Sequence, residues 1–237
     1  MYPVRLFLVL AGCLVAAAGM ARAQNGDADS QLWSETRLVY KLSDQLDVFT
    51  AGSYRLTKGF TDFDRASARV GGTWAATPNF SITPSYFYTV GNPWTTNPRP
   101  ENRACLLLAY TIPIKTALLT LANTTEYRMP EKPTATSFDA FWLRPRIKIA
   151  HPVGPADWGL TAFVANELFY NNGREVFTQN QTFAGFGKKF NDTLTMNLYY
   201  CRRTKMNATF SDANAICVDF VINFGKKSDN PPEPQFR

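Results

Sequence analysis

The chain has very few residues suited to catalysis or to binding a metal ion. Its 237 residues include one histidine, His151, and four cysteines. His151 lies in the segment His151-Pro152-Val153-Gly154-Pro155, which is typical of an exposed turn and not of a buried general base. No two cysteines form a CxxC pair, so the sequence gives no support to a zinc site. We therefore expect no enzymatic activity, no metal and no cofactor.

The sequence also lacks clustered charge and long membrane helices. Its 25 basic and 19 acidic residues are spread along the chain, which argues against a nucleic-acid partner. A mean hydropathy of -0.21 argues against a bundle of membrane helices. The longest apolar stretch after the N-terminal region, 105–122, is interrupted by Pro113 and Lys115, which suit a tight turn between two strands.

The N-terminal residues have the pattern of a secretory signal peptide. Arg5 precedes an apolar run from Leu6 to Met20, and Ala21-Arg22-Ala23 supplies small residues for cleavage. Residues 1–23 are therefore predicted to be removed, which lowers the formal charge from +6 to +4 because two arginines and no acids are lost. A lipoprotein processing site at Cys13 is the alternative.

The rest of the chain repeats a period-two alternation of apolar and polar residues. In one example, Val48, Gly52 and Tyr54 alternate with Ala51 and Ser53. This periodicity indicates strands with two different environments. It predicts about eleven strands, starting near residues 32, 46, 65, 80, 102, 117, 140, 158, 178, 193 and 214.

The aromatic residues on the apolar face favour a membrane barrel over a water-soluble one. One set lies near short turns: Tyr40, Trp74, Phe80, Tyr110, Trp158 and Phe224. The other set lies near longer polar loops: Tyr54, Tyr88, Tyr127, Tyr170 and Tyr200. Two aromatic rings around an aliphatic band are expected where a barrel meets two lipid–water interfaces.

We therefore predict an all-β fold, an antiparallel transmembrane β-barrel of about 10–12 strands with short periplasmic turns and longer extracellular loops. The barrel is predicted to span residues 24–224, followed by a polar, Pro-rich periplasmic tail over 225–237. Because bacterial barrels usually have an even strand number, we expect twelve strands, or ten as the second choice. The expected location is a Gram-negative outer membrane, with membrane lipid, lipopolysaccharide and the barrel-assembly machinery as partners.

The inward face is predicted to be basic, with cations outnumbering acids by about three to one when Glu35, Arg55 and Arg65 are counted together with the candidates named next. The lumen-lining candidates are Arg37, Arg69, Arg103, Glu126, Arg128, Arg144, Arg146, Lys148, Glu167 and Arg203. In one interpretation the arginines line a small water-filled pore for anionic solutes. In the other, the barrel is structural and sealed, with Glu126 and Glu167 crosslinking guanidiniums. An outer-membrane enzyme or adhesin is less favoured than either.

A disulfide is predicted between Cys201 and Cys217. Both residues occupy inward-facing positions in the alternation of the last two predicted strands. They are also equally far in sequence from Thr209, in the middle of the connecting loop. An unbulged hairpin places such residues directly opposite one another, at a separation that a disulfide tolerates. An oxidising periplasm permits the bond.

Short motifs along the mature chain resemble a known family. They include Gln31-x-Trp33, Glu126-Tyr127-Arg128, Leu143-Arg144-x-Arg146, Asn166-Glu167-x-Phe169 and Gly185-x-Gly187. Together with the signal peptide and the Leu42-Ser43 turn, they resemble an outer-membrane β-barrel family, the domain of unknown function number twenty-four-ninety. The resemblance implies a location and a fold, and it implies no established activity.

Overall fold

The computed structural model describes residues 28–95, 97–132, 140–207 and 212–225. The predicted signal peptide, the alternative lipidation site at Cys13 and the predicted tail beyond Gly225 lie outside the described residues. In the described part of the chain no helix is long and apolar enough to cross a membrane.

Eleven strands make up almost all of the described chain, as the alternation predicts. They are β1 (Asp29–Lys41), β2 (Leu46–Thr57), β3 (Asp62–Thr77), β4 (Phe80–Gly91), β5 (Arg99–Ile114), β6 (Ala117–Pro130), β7 (Ala140–Pro152), β8 (Leu160–Asn171), β9 (Val176–Lys189), β10 (Leu194–Lys205) and β11 (Ala213–Gly225). A single turn of 3-10 helix, Ala156–Trp158, joins β7 to β8. Each strand pairs with its sequence neighbours in antiparallel fashion, and the sheet closes on itself as a barrel.

The barrel closes through a parallel pair. Strand β1 pairs with β11 along its whole length, from Asp29 opposite Ala213 to Lys41 opposite Gly225. Because β1 and β11 run in the same direction, the described barrel closes with an odd number of strands. The expectation of an even number, twelve or ten, is therefore wrong. It assumed an antiparallel closure, which the pairing of β1 with β11 does not provide.

The connections define two ends of the barrel. The turn end carries the links 42–45, 78–79, 115–116, 153–159 and 190–193, and the loop end carries 58–61, 92–98, 131–139, 172–175 and 206–212. The predicted contrast between short and long links holds only in part. The 153–159 link at the turn end contains the 3-10 helix, whereas 58–61 at the loop end is short.

Side chains alternate between the interior and the outer surface of the barrel. Large apolar residues of the outer face are exposed, among them Val70, Leu106, Ile147 and Val164. The predicted aromatic residues Tyr40, Trp74, Tyr110 and Phe224 are exposed near the turn end, and Tyr54 and Tyr88 near the loop end. Exposed aliphatic residues therefore lie between these two sets of aromatic residues on much of the outer face, whereas Asn166, Asn180 and Thr182 form a polar patch on β8 and β9.

Large side chains fill the interior. A barrel of eight strands is already just wide enough to be filled by side chains, so an eleven-stranded one needs bulkier residues. Trp33 on β1, Phe163 on β8, Phe183 on β9 and Tyr199 on β10 are buried in one apolar cluster, which we call the apolar wall. Gly185 makes room for this packing, because a Cβ at that position would lie 2.5 Å from Tyr199 Cα.

Candidate functional site

All ten predicted lumen residues lie on the interior face of the barrel. Seven of them are buried: Arg37, Arg69, Glu126, Arg144, Lys148, Glu167 and Arg203. The other three, Arg103, Arg128 and Arg146, are partly buried on the same parity of their strands. Their inward positions follow the alternation along each strand.

Glu126 is the centre of a charged network on neighbouring strands. Its carboxylate is 1 % exposed and lies 2.6 Å from Arg128 Nη2 and 3.8 Å from Arg103 Nη1. Arg144 Nη1 donates a further hydrogen bond to Glu126 Oε1. A carboxylate with several charge-assisted hydrogen bonds is among the stronger polar arrangements in proteins. Glu126 thus ties β5, β6 and β7 together from the inside.

Two further carboxylates extend the network. Arg144 Nη2 donates to Glu167 Oε2 at 2.9 Å, which connects β7 to β8. Arg103 Nε donates to Glu101 Oε1 on its own strand. Three carboxylates therefore meet three guanidiniums, and this part of the interior is electrically balanced. We call these six residues the ionic band: Glu101, Arg103, Glu126, Arg128, Arg144 and Glu167.

Aromatic rings hold many of the interior cations. Arg128 stacks on Trp142 with its Cζ 4.1 Å from the ring centroid, and Arg144 lies 4.5 Å from Phe169. Arg37 lies 4.4 Å from the Phe49 ring. Cation–π contacts strengthen when water is excluded, so they favour burial of the arginine surplus. The interpretation of the arginines as the lining of a water-filled pore did not include these contacts with aromatic rings.

A second polar group lies on β1, β10 and β11. Tyr199 donates its hydroxyl to Asp219 Oδ2 at 2.7 Å, and the Glu35 backbone N–H donates to Asp219 Oδ1 at 3.1 Å. Arg37 Nη2 lies 3.3 Å from Glu35 Oε1. These contacts connect the parallel closure of β1 and β11 to β10 through side chains.

Two interior acids were missed by the sequence analysis. Asp219 is buried beside Tyr199, and Glu101 bonds Arg103 within the ionic band. Asp219 lies two residues after Cys217 on β11, so the alternation places both side chains on the same inward face. Glu101 precedes the predicted start of its strand near residue 102, and the structure begins β5 at Arg99. The basic surplus of the interior is therefore smaller than predicted.

The predicted disulfide register is wrong. Cys201 pairs with Ala215, and Cys217 pairs with Tyr199, so the two cysteines are offset by two residues and not directly opposed. Diagonal neighbours across an antiparallel pair are about 7–8 Å apart, which is beyond the usual span of a disulfide. Both cysteines are thiols, and both are buried in the apolar wall.

The single histidine of the chain lies at the surface of the barrel. His151 is exposed at the end of β7, where its Nδ1 lies 3.3 Å from the Thr116 carbonyl oxygen. Within the described ranges there is no group of three or more histidine, cysteine, aspartate or glutamate residues placed to hold a metal ion. The described interior contains ion pairs between arginines and glutamates, and arginines that pack on aromatic rings.

Comparison with protein families identifies the chain. The model of the family described as "Protein of unknown function (DUF2490)" matches residues 30–214, which cover strands β2 to β10 and parts of β1 and β11. The chain belongs to the DUF2490 family. The family resemblance drawn from the sequence motifs is thus confirmed, and the family itself has no assigned function.

Comparisons with individual proteins add little for this DUF2490 protein. No curated protein sequence matches it. Among solved structures it resembles the siderophore receptor PirA from Pseudomonas aeruginosa, with 10% sequence identity and a TM-score of 0.28. The match covers 71% of this chain and 34% of the receptor, so the chain spans about a third of the receptor's length. A TM-score this low supports no argument about function.

Proposed function

We propose that this DUF2490 protein is an integral β-barrel of a Gram-negative outer membrane whose interior is closed by its own side chains. The outer face supports the membrane location. It exposes aliphatic residues such as Leu106, Ile149 and Val164 over the middle of the strands, where a water-soluble barrel would expose polar ones. Such a surface matches the apolar band that a lipid bilayer requires. Lipid and lipopolysaccharide are the proposed surroundings, and the barrel-assembly machinery is the proposed route of insertion.

The observation that carries the closed interior is the burial of the side chains that face it. Glu126 and Glu167 are each 1 % exposed, and Trp33 and Phe183 are each 2 % exposed. A water-filled passage would leave such interior side chains accessible to solvent. The ionic band covers β5 to β8, and the apolar wall covers β7 to β11 together with β1. Side chains of these two groups therefore line eight of the eleven strands, β1 and β5 to β11.

Conductance of the refolded protein in a planar bilayer tests closure. We expect no stable conductance steps in potassium chloride from the wild-type protein. A Phe183→Ala, Tyr199→Ala variant removes two large rings from the apolar wall and should conduct, which makes it the positive control. Stable steps from the wild-type protein would contradict the closed interior. Fractionation of cells that express the protein tests the location, and recovery with soluble periplasmic proteins would contradict it.

An anion-permeable pore is the second candidate. The basic surplus that remains outside the ionic band, at residues such as Arg69, Arg146 and Lys148, favours it. If the protein does conduct, reversal potentials in a salt gradient should indicate anion preference. Replacing Arg144 and Arg146 by glutamate should then reduce that preference. A conducting barrel with no ion preference would contradict this candidate as well.

We propose no enzymatic role. The only histidine of the chain is His151, an exposed residue at the turn end whose ring contacts a backbone carbonyl. Interior carboxylates such as Glu126 are engaged by arginines, which leaves them poorly suited to accept a proton from a substrate.

A further inference from the structure

Polar side chains interrupt the aliphatic outer face of the barrel on β8 and β9. The polar patch of Asn166, Asn180 and Thr182 faces outward, and the residues that alternate with it, such as Glu167 and Phe183, are buried in the interior. Asn166 is the seventh of the 12 residues of β8, and Thr182 is the seventh of the 14 residues of β9. The patch therefore lies at mid-strand. In the proposed membrane location this level faces lipid tails, away from headgroups and water.

The three side chains of the polar patch bind one another and still have free hydrogen-bonding groups. Asn166 Nδ2 donates to Asn180 Oδ1 at 2.7 Å and to Thr182 Oγ1 at 3.0 Å, which uses both amide hydrogens of Asn166. Among the described residues, the Asn166 carbonyl oxygen, the Asn180 amide hydrogens and the Thr182 hydroxyl hydrogen have no partner. An amide or hydroxyl group without a partner is costly in an apolar environment.

The neighbouring side chains on the outer face leave these groups unfilled. Arg202 on β10 pairs with Thr182 in the sheet, but its guanidinium donates to Asn214 and Asp212 at 2.9 and 3.0 Å. Val164, the next outward residue of β8 toward the turn end, is apolar. A partner for the polar patch must therefore come from outside this barrel.

A second copy of the chain has the hydrogen-bonding groups that the patch needs. Each copy presents free donors on Asn180 and Thr182 and a free acceptor on Asn166. A surface that carries both kinds of group is self-complementary about a two-fold axis, as an isologous interface requires. Lipid tails have neither donors nor acceptors, so they cannot fill this role.

The surface around the polar patch suits close contact between two barrels. Val164 and Ala184 are paired with each other beside the patch and are both exposed, and the exposed Ile147 pairs with Asn166 on the other side. Small residues such as Ala184 let membrane-spanning segments approach closely. Val164 and Ile147 add apolar surface that can pack between the copies.

We propose that two copies of the chain associate side by side in the membrane, with a two-fold axis between β8 and β9 and the polar patch at the centre of the contact. Asn180 of each copy donates to the Asn166 carbonyl oxygen of the other, and β7 of each copy faces β10 of the other. The inference rests on the proposed membrane location, because water would satisfy the same groups on a soluble barrel. It is independent of whether the interior conducts ions.

Thiol crosslinking in phosphatidylcholine vesicles tests the contact. Thr182→Cys should give a covalent dimer with a short bifunctional maleimide, because the two-fold axis brings this position of both copies together. Thr50→Cys, at an exposed outward position on β2, is the matched control and should stay monomeric. The native Cys105, Cys201 and Cys217 are buried and should not react in the folded protein.

Energy transfer between labelled copies, measured as the vesicles are diluted with lipid, gives the strength of association. Asn180→Leu should raise the dissociation constant of the dimer about tenfold, the effect expected when one polar contact within a membrane is lost. Asn123→Leu removes an outward amide at mid-strand of β6, outside the contact, and should leave the dissociation constant unchanged.

Three results would overturn the self-association. The first is wild-type protein that is monomeric in vesicles, and the second is an equal dissociation constant for Asn180→Leu and Asn123→Leu. The third is a crosslink in cells from Thr182→Cys to a different protein with no homodimer. Monomeric protein that floats with the vesicles leaves the membrane location intact, whereas protein that does not float with them contradicts the location itself, so the two failures are distinguishable.

Discussion

Glu126 offers the sharpest test of the ionic band. Replacing it with glutamine keeps the size of the side chain and removes its negative charge. The carboxylate contacts Arg103, Arg128 and Arg144 and is almost completely buried. Arg144 keeps Glu167 as a partner and Arg103 keeps Glu101, whereas Arg128 loses its only ion pair among the described residues.

The size of the effect follows from these remaining contacts. Removing one partner of a buried ion pair costs about 3–5 kcal/mol when the other charge is left alone. Because two of the three arginines retain a carboxylate, we expect Glu126→Gln to lower the free energy of unfolding by about 3 kcal/mol, the low end of that range. Glu175→Gln, at an exposed position in the loop between β8 and β9, is the control and should change the free energy by less than about 0.5 kcal/mol.

Denaturant unfolding of the refolded variants in detergent provides the measurement. A double-mutant cycle with Arg128→Gln isolates the pair, and we expect a coupling energy of about 1 kcal/mol or more. A loss at Glu126 no larger than that at Glu175 would refute the reasoning. It would mean that the network contributes nothing beyond ordinary surface charges.

Three further predictions concern packing and register. Leu198→Arg and Val218→Arg, on the outer face, should each lower the free energy of unfolding in lipid bilayers by about 2–4 kcal/mol. Tyr200→Arg, nearer the loop end, should lower it by less. Equal losses at the three positions in folding assays would contradict the arrangement of aromatic residues at the two ends. Gly185→Ala should lower the unfolding midpoint, because the new Cβ would meet the backbone of Leu198 and Tyr199. Gly52→Ala should leave the midpoint unchanged, because a Cβ at Gly52 has no neighbouring atom within 4 Å. Equal midpoints in the two variants would contradict this packing. Mass spectrometry of unreduced protein, alkylated after unfolding, should find Cys201 and Cys217 both modified; a peptide crosslinked through them would contradict the register.

The strands were the most predictable part of the molecule. Period-two alternation placed the starts of β2, β4, β6 and β7 at the residues where the structure begins them, 46, 80, 117 and 140. Alternation depends only on neighbouring residues along one strand, so it can be read from the sequence. It also assigned Arg144 and Lys148 to the interior, where both are buried.

Contacts between strands were less predictable. Symmetry about Thr209 predicted that Cys201 and Cys217 are directly opposed, whereas Cys201 pairs with Ala215, two residues away from that register. The stacking of Arg128 on Trp142 depends on how far neighbouring strands are staggered, which no single strand encodes. The alternation contains the inward positions of Trp142 and Phe169, but it does not contain their contacts with arginines.

The parallel pair of β1 and β11 has a consequence for how the chain reaches its native state. Every other strand pair joins neighbours along the sequence, whereas this one joins residues such as Glu35 and Asp219. Loop closure over so long a distance is entropically costly, and non-local pairings form slowly. Until they meet, β1 and β11 are open edges with unpaired backbone groups, which can template pairing with another chain. Closure is therefore expected to be the last and slowest step of folding, and the stage most exposed to misassembly.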